Sequence, residues 1–330
     1  MKKIWGSLGM VLLCIVIILF SGEVLMRGIS FVKPIYSVEM TKYATRLQIC
    51  PPEPDVPHAH KPNVTAKLMG VEIALNGLGH RGPDLVNPKP ENEKRLFVLG
   101  SSITLGWGVP YKHIFTTVVE DRLNRDDKGK GTHYRVINAG IANYNTPYEL
   151  ALYKRQGPDV RPDFVLLNYF INDAEIIPMG KDSLILRHSL FIAFIYQKLK
   201  SFSSNIKGRS LSKYYTELHE DGQPGWEQTK LAMKELSDLC QENGIPLLVM
   251  LTPNTHNLSK DELYPKLYEK ILVKFEEMGV PVINTYPQFI SQFGDDQSKV
   301  WVAPDDPHPN TKGHKIMADA FYGYLKANPL

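Results

Sequence analysis

Cysteine is scarce in this 330-residue chain: Cys14, Cys50 and Cys240 are its three thiols. Their spacing matches no metal-ligand pattern and excludes a disulfide framework. Cys14 lies inside an apolar run, so only Cys50 and Cys240 could pair. Excess charge is equally scarce. The formal net charge is +3 and no dense basic stripe with interleaved aromatics occurs, which argues against nucleic acid as a partner. A phosphate-binding glycine loop is missing too. Gly100 and Gly106 are separated by five residues rather than four, and Trp107 stands in the lysine position. Gly106-Trp107-Gly108 does not complete a dinucleotide fingerprint. His58 and His60 alternate in a proline-rich stretch and read as idle rather than as metal ligands.

Apolar residues are plentiful, at 43% against 22% charged, enough for a sizeable globular core. One uncharged run, Ile4 to Phe20, follows Lys2 and Lys3. Its roughly 17 residues would span about 26 Å as a helix, close to the hydrocarbon thickness of a bilayer. A cleaved signal peptide is the alternative, but Phe20-Ser21-Gly22-Glu23 offers no clear small-x-small cleavage site. Residues 1–21 are therefore expected to be a signal anchor, with a cytoplasmic amino terminus and everything beyond exported to the periplasmic or extracellular side. Arg27 and Lys33 on the other flank weaken that orientation without reversing it.

Residues 22–92 read as a linker and surface-strapping segment. They include the proline-rich patch Cys50 to Val64 and a run of turns from Asn76 to Pro90. From residue 93 a repeating grammar sets in. Short β-type runs occur at Arg95–Leu99, Tyr134–Asn138, Phe164–Asn168, Pro246–Leu251 and Val280–Asn284, separated by stretches of helical spacing. Ala232, Leu236, Leu239 and Cys240 share one helix face, closed by Gly244; Leu267, Ile271, Phe275 and Met278 share another, closed by Gly279. Apolar strands alternating with helices predict a doubly wound, mainly parallel five-stranded sheet covered on both faces, with ligands at the carboxyl ends of the strands. An insertion at about 180–225 breaks the pattern. Its stretch Ser183 to Phe202 reads as an extra helix packed on the sheet, with a lid or a membrane-facing helix as alternatives.

The strand ends carry the chemistry. Gly100-Ser101-Ser102 follows the first strand, Ala139-Gly140 the second and Asn172-Asp173 the third, and Asp305-Asp306-Pro307-His308 lies near the C-terminus. A serine hydroxyl needs a base to take its proton, and His308 could be that base. Asp305 could accept the other imidazole N–H and fix the tautomer. The amide of Ser102, the bare N–H of Gly140 and the side-chain amide of Asn172 could stabilise an oxyanion. Asp173 and Asp306 are assigned structural roles. Taken singly, Ser102 could be a helix N-cap, His308 a surface histidine, and Asp305, Asp306 and Asn310 caps for the last helix. The nucleophile elbow G-x-S-x-G does not apply, because Thr104 stands where its second glycine is required.

These four blocks resemble the SGNH (GDSL-type) hydrolases: Ser102 matches the first, Gly140 in NAGIAN the second, Asn172 in FINDA the third, and Asp305 with His308 in DDPHPN the last. The resemblance covers roughly residues 94–327. It implies a three-layer α/β/α sandwich and ester hydrolysis or acyl transfer, with no metal or organic cofactor. Two positions depart from the family pattern. Ser101 replaces the aspartate usual before the nucleophile, a carboxylate that in the family helps hold the nucleophile loop, and Phe170 replaces the glycine that usually opens the third block. The expected function is thus an anchored extracytoplasmic serine esterase acting on an acylated small molecule, glycan or lipid. An O-acyltransferase of cell-surface polysaccharide and a non-catalytic binding protein on the same fold are the alternatives.

Overall fold

A computed structural model describes residues 2–50, 55–177, 186, 188–206, 210–256, 258 and 263–330; for 2–8 and 200–206 it describes the backbone only. The chain opens with the long helix α1 (Lys2–Val32) and the short α2 (Tyr36–Arg46). Two antiparallel pairs follow, β1 (Gln48–Ile49) with β2 (Ala59–His60), and β3 (Val64–Leu68) with β4 (Val71–Leu75). Within the segment expected as a linker and surface strap, part of the chain is buried against the body of the protein. Tyr43, Leu47, Leu68, Ile73 and Leu75 join Leu105 and Trp107 in one apolar cluster.

Then comes the expected alternation. It runs β5 (Glu93–Gly100), α3 (Ser102–Leu105), α4 (Phe115–Asp126), β6 (His133–Asn138), α5 (Thr146–Val160) and β7 (Phe164–Tyr169). After the insertion helices α6 (Leu190–Ile206) and α7 (Leu211–Leu218) it resumes with α8 (Pro224–Glu242), β8 (Leu247–Leu251), α9 (Leu263–Glu277), β9 (Val282–Asn284) and α10 (Tyr286–Phe293). A short hairpin, β10 (Trp301–Ala303) with β11 (Asp306–Pro309), and the last helix α11 (Thr311–Ala327) complete the chain.

The five long strands form one sheet in the order β6-β5-β7-β8-β9, with every pairing parallel. Alternate residues of each strand point to opposite faces, and the packing follows that period. Phe97, Leu99, Val165, Leu167, Val249 and Leu251 face α5, α8 and α9. Leu96, Val98, Leu166, Leu248 and Met250 face α4, α10 and α11. This is the three-layer sandwich, and it brings the ends of β5, β6, β7 and β8 to one edge. The insertion differs from expectation: α6 packs on α1 and α2 rather than on the sheet. Cys14, Cys50 and Cys240 are all free thiols, with Cys50 exposed and Cys240 buried in the core.

Candidate active site

Ser102 opens α3, directly after β5, and His308 lies on β11. The hairpin of β10 and β11 carries the histidine over the sheet edge, so that Ser102 Oγ and His308 Nε2 stand 2.8 Å apart. The other ring nitrogen, Nδ1, lies 2.5 Å from Asp306 Oδ1. A carboxylate can only accept, so Nδ1 carries the proton and Nε2 is left as the acceptor facing the serine O–H.

The structure corrects the expectation for Asp305. Residues i and i+2 of an extended segment share a face, so Asp306 and His308 of β11 point the same way. Asp306 is fully buried, its Oδ1 also accepts the backbone N–H of His308 at 3.1 Å, and its Oδ2 accepts Trp107 Nε1 at 2.7 Å. Asp305 lies in the exposed turn before the strand, where its Oδ2 accepts the backbone N–H of Tyr36 at 3.2 Å. A structural part for Asp306 is therefore too small: its carboxylate orients the histidine.

The three expected oxyanion donors differ in state. The backbone N–H of Ser102, at the first turn of α3, has no partner among the described residues. Asn172 follows β7 on a short 3-10 turn, with Oδ1 buried and unpartnered. Gly140 is engaged: its N–H donates to Asn138 Oδ1 at 3.1 Å. Its lack of a side chain has another cause, since a Cβ there would fall 2.2 Å from the backbone nitrogen of Leu105. The glycine lets the loop after β6 pack directly on α3.

Several residues that hold this constellation were not singled out from sequence. With Ser101 in place of the usual aspartate, the turn that carries Ser102 is gripped by amides and a guanidinium. Asn138 Nδ2 donates to Thr104 O at 2.6 Å, and Asn168 Nδ2 to Thr104 Oγ1 at 3.0 Å. Buried Arg81 donates from Nη1 to Leu105 O and Gly106 O, and from Nη2 to Val109 O and Glu72 O. Phe170, where the family has glycine, packs against both apolar layers. Tyr36, at the start of α2, sets its ring 5.7 Å from that of His308 and 6.3 Å from that of Trp107. The stretch just beyond α1 is therefore a wall of the site. His58 and His60 are structural rather than idle: His58 Nε2 bonds Ala142 O at 2.9 Å, and His60 bridges Tyr43 Oη and Gly79 O. His314 is also structural, with Nδ1 accepting the backbone N–H of Phe115; burial depresses its pKa to about 3.

Below Asn172 lie two buried carboxyls. Both oxygens of Glu149 and Oδ1 of Asp173 lack a hydrogen-bond partner. Burial raises the pKa of each well above the usual carboxylate range. Asp173 Oδ2 accepts Thr146 Oγ1, and its carbonyl accepts Thr229 Oγ1, which together fix the turn that presents Asn172.

Residues 98–316 match the model of the GDSL-like lipase/acylhydrolase family. No match to a curated protein was found. Among solved structures, the chain is similar to a two-domain esterase active on acetylated mannans, at 14% identity over 71% of this chain, with a TM-score of 0.44. It spans about half of that protein, 49% of its length. It is also similar to TesA, at 15% identity over 71% of this chain and 99% of that one, TM-score 0.45. A catalytic mutant of the acetylxylan esterase Axe2 from Geobacillus stearothermophilus matches at 16% identity over 71% and 93% of the two chains, TM-score 0.43. With the family model covering most of its length, the chain belongs to the GDSL-like lipase/acylhydrolase family.

Proposed function

We propose that the protein is a membrane-anchored serine esterase whose catalytic domain works on the extracytoplasmic side, releasing an acyl or acetyl group from a glycan or lipid-like substrate. The observation that carries this reading is the unbroken hydrogen-bonded chain from Ser102 Oγ through His308 to the buried Asp306.

The chemistry follows from that chain. His308 Nε2 takes the hydroxyl proton as Ser102 Oγ bonds to the ester carbonyl carbon. Asp306 stabilises the imidazolium that forms. The carbonyl oxygen becomes an oxyanion, met by the Ser102 N–H and the Asn172 amide, with Gly140 able to join if its bond to Asn138 is shared. One such donor is worth about 2.7–4 kcal/mol of transition-state stabilisation. Collapse of the tetrahedral species breaks the bond to the alcohol oxygen, which leaves with the proton from His308. Water then repeats the sequence on the acyl-serine, returning the free acid and Ser102.

Anchoring is supported by α1: its uncharged run Ile4 to Phe20 follows Lys2 and Lys3, and an 18-residue window within Gly9–Val32 has a mean hydropathy of 2.5 and is almost wholly exposed. Incubating the full chain in detergent with p-nitrophenyl acetate, with and without an oligosaccharide acceptor, tests the function. Hydrolysis predicts p-nitrophenol and acetate in equal amounts whatever the acceptor. Acetylated sugar in place of acetate would make the protein a transferase. Folded protein that releases no p-nitrophenol from any short-chain ester would be a binding protein.

A further inference from the structure

We propose that α6 is a second membrane-contacting element, an interfacial helix that lies along the bilayer surface beside α1 and seats the catalytic domain on anionic lipid. The inference rests on reading α1 as a retained anchor.

The depth at which α6 meets α1 is the first argument. Lys3 and Glu23 lie 20 helical steps apart on continuous helix, a rise of about 30 Å, which is close to the hydrocarbon thickness of a bilayer. Glu23 therefore stands where the chain leaves the membrane. At that level its carboxylate receives the start of α6: Ser189 Oγ at 2.9 Å, and the backbone N–H groups of Leu190 at 3.3 Å and Phe191 at 3.1 Å. Arg27 closes the fourth side at 2.6 Å. A Cβ on Gly22 would lie 2.7 Å from the Phe191 ring, so the two helices touch at the same point. Met26, Val38 and Leu190 bury together there, with Ile35, Phe191 and Phe194 around them.

The second argument is the face of α6 that nothing covers. Ile195, Tyr196 and Leu199 are 41%, 49% and 63% exposed. They are spaced i, i+1 and i+4, hence one stripe. On α1, Val24, Leu25 and Ile29 are also exposed. Spanning is not an option for α6. Its 17 residues include Gln197, Lys198 and Lys200, whereas an apolar stripe flanked by lysine is the pattern of a helix lying in the interface.

Charge names the occupant. From Ser183 to Thr216 the sequence holds Arg187, Lys198, Lys200, Lys207, Arg209 and Lys213, and no Asp or Glu. An apolar stripe in a stretch of sequence with basic residues and no acidic ones suits an anionic lipid surface rather than a neutral one.

The test uses the unaltered full chain in liposomes of phosphatidylcholine and phosphatidylglycerol at three to one, with a trace of phospholipid carrying a photoactivatable diazirine in its acyl chain. Peptide mapping after illumination is expected to find adducts on residues 4–20 and on 190–199, and none on α11. Omitting phosphatidylglycerol should lower labelling of 190–199 by about threefold or more while leaving 4–20 unchanged. Adducts on 4–20 without any on 190–199 would overturn the proposal and leave the anchor standing. Adducts on neither segment would overturn both. Protection of 190–199 by a bound protein registers as the first of these results.

Discussion

Replacing Ser102 by alanine is expected to lower kcat for ester hydrolysis by about 10⁶, the scale seen when a triad serine is removed. The same assay separates the two aspartates of the last block. Asp306→Asn keeps the volume but takes away the acceptor that holds the proton on His308 Nδ1; the imidazole can then present N–H rather than a lone pair to the serine. The expected loss in kcat is about 10⁴. Asp305→Asn alters a residue that accepts the backbone N–H of Tyr36 in an exposed turn, and kcat should change by less than about fivefold. Near-equal losses for the two aspartate variants would remove Asp306 from the machinery.

Acid should unfold this protein steeply, for reasons independent of catalysis. Burial lowers the pKa of His60 and His314 to about 3, and of His80 and His219 to about 4. Unfolded histidine titrates near pH 6.5. A group that is harder to protonate when folded contributes stability that is fully present above its unfolded pKa and is lost as pH falls toward the folded one. Each of these histidines therefore withdraws about 1.4 kcal/mol per pH unit below 6.5. At pH 5 the four together withdraw about 8 kcal/mol, comparable with the whole stability of an ordinary domain.

Glu149 and Asp173 work the other way. With pKa values raised by burial, they contribute stability at low pH that is lost as pH rises above the usual carboxylate range. Four groups outnumber two below pH 6.5. Urea unfolding measured across pH 4.5–6.5 should thus show stability falling toward acid. A flat profile would mean that the histidines are protonated in the fold. Glu149→Gln removes one opposing group and should make the fall toward acid steeper.

Much of the fold is legible in the sequence because strand and helix periods differ. The apolar runs at Arg95–Leu99 and Phe164–Asn168 have no polar face to spend on solvent, so they had to be central strands. Ser102 is legible because the family pattern places Ser101 at the usual aspartate position before it, and His308 because it is the histidine of the block DDPHPN. The choice between Asp305 and Asp306 turns on a local matter. Read as a loop, DDPHPN favours neither; read as the strand Asp306–Pro309, its period of two selects Asp306.

Tyr36 and Arg81 lie beyond any local pattern. Tyr36 reaches a turn 269 residues away, and Arg81 grips a helix more than 20 residues downstream. Both belong to a segment whose prolines and turns conceal how much of it is buried. Gly140 is legible as essential but for an incomplete reason: the close approach of Leu105 requires it whatever its N–H does. The insertion helix misleads for a related cause. An apolar, aromatic helix packs wherever apolar surface is offered, and here α1 and α2 offer it in place of the sheet.

The central claim is that Ser102 is a nucleophile activated by His308. A fluorophosphonate probe added to the folded full-length protein at pH 7.5, followed by peptide mass analysis, tests it most directly. A single phosphonylated residue, Ser102, is expected, formed at a rate that collapses in His308→Ala. Unmodified Ser102 in protein that retains its fold, or modification undiminished by loss of His308, would contradict it.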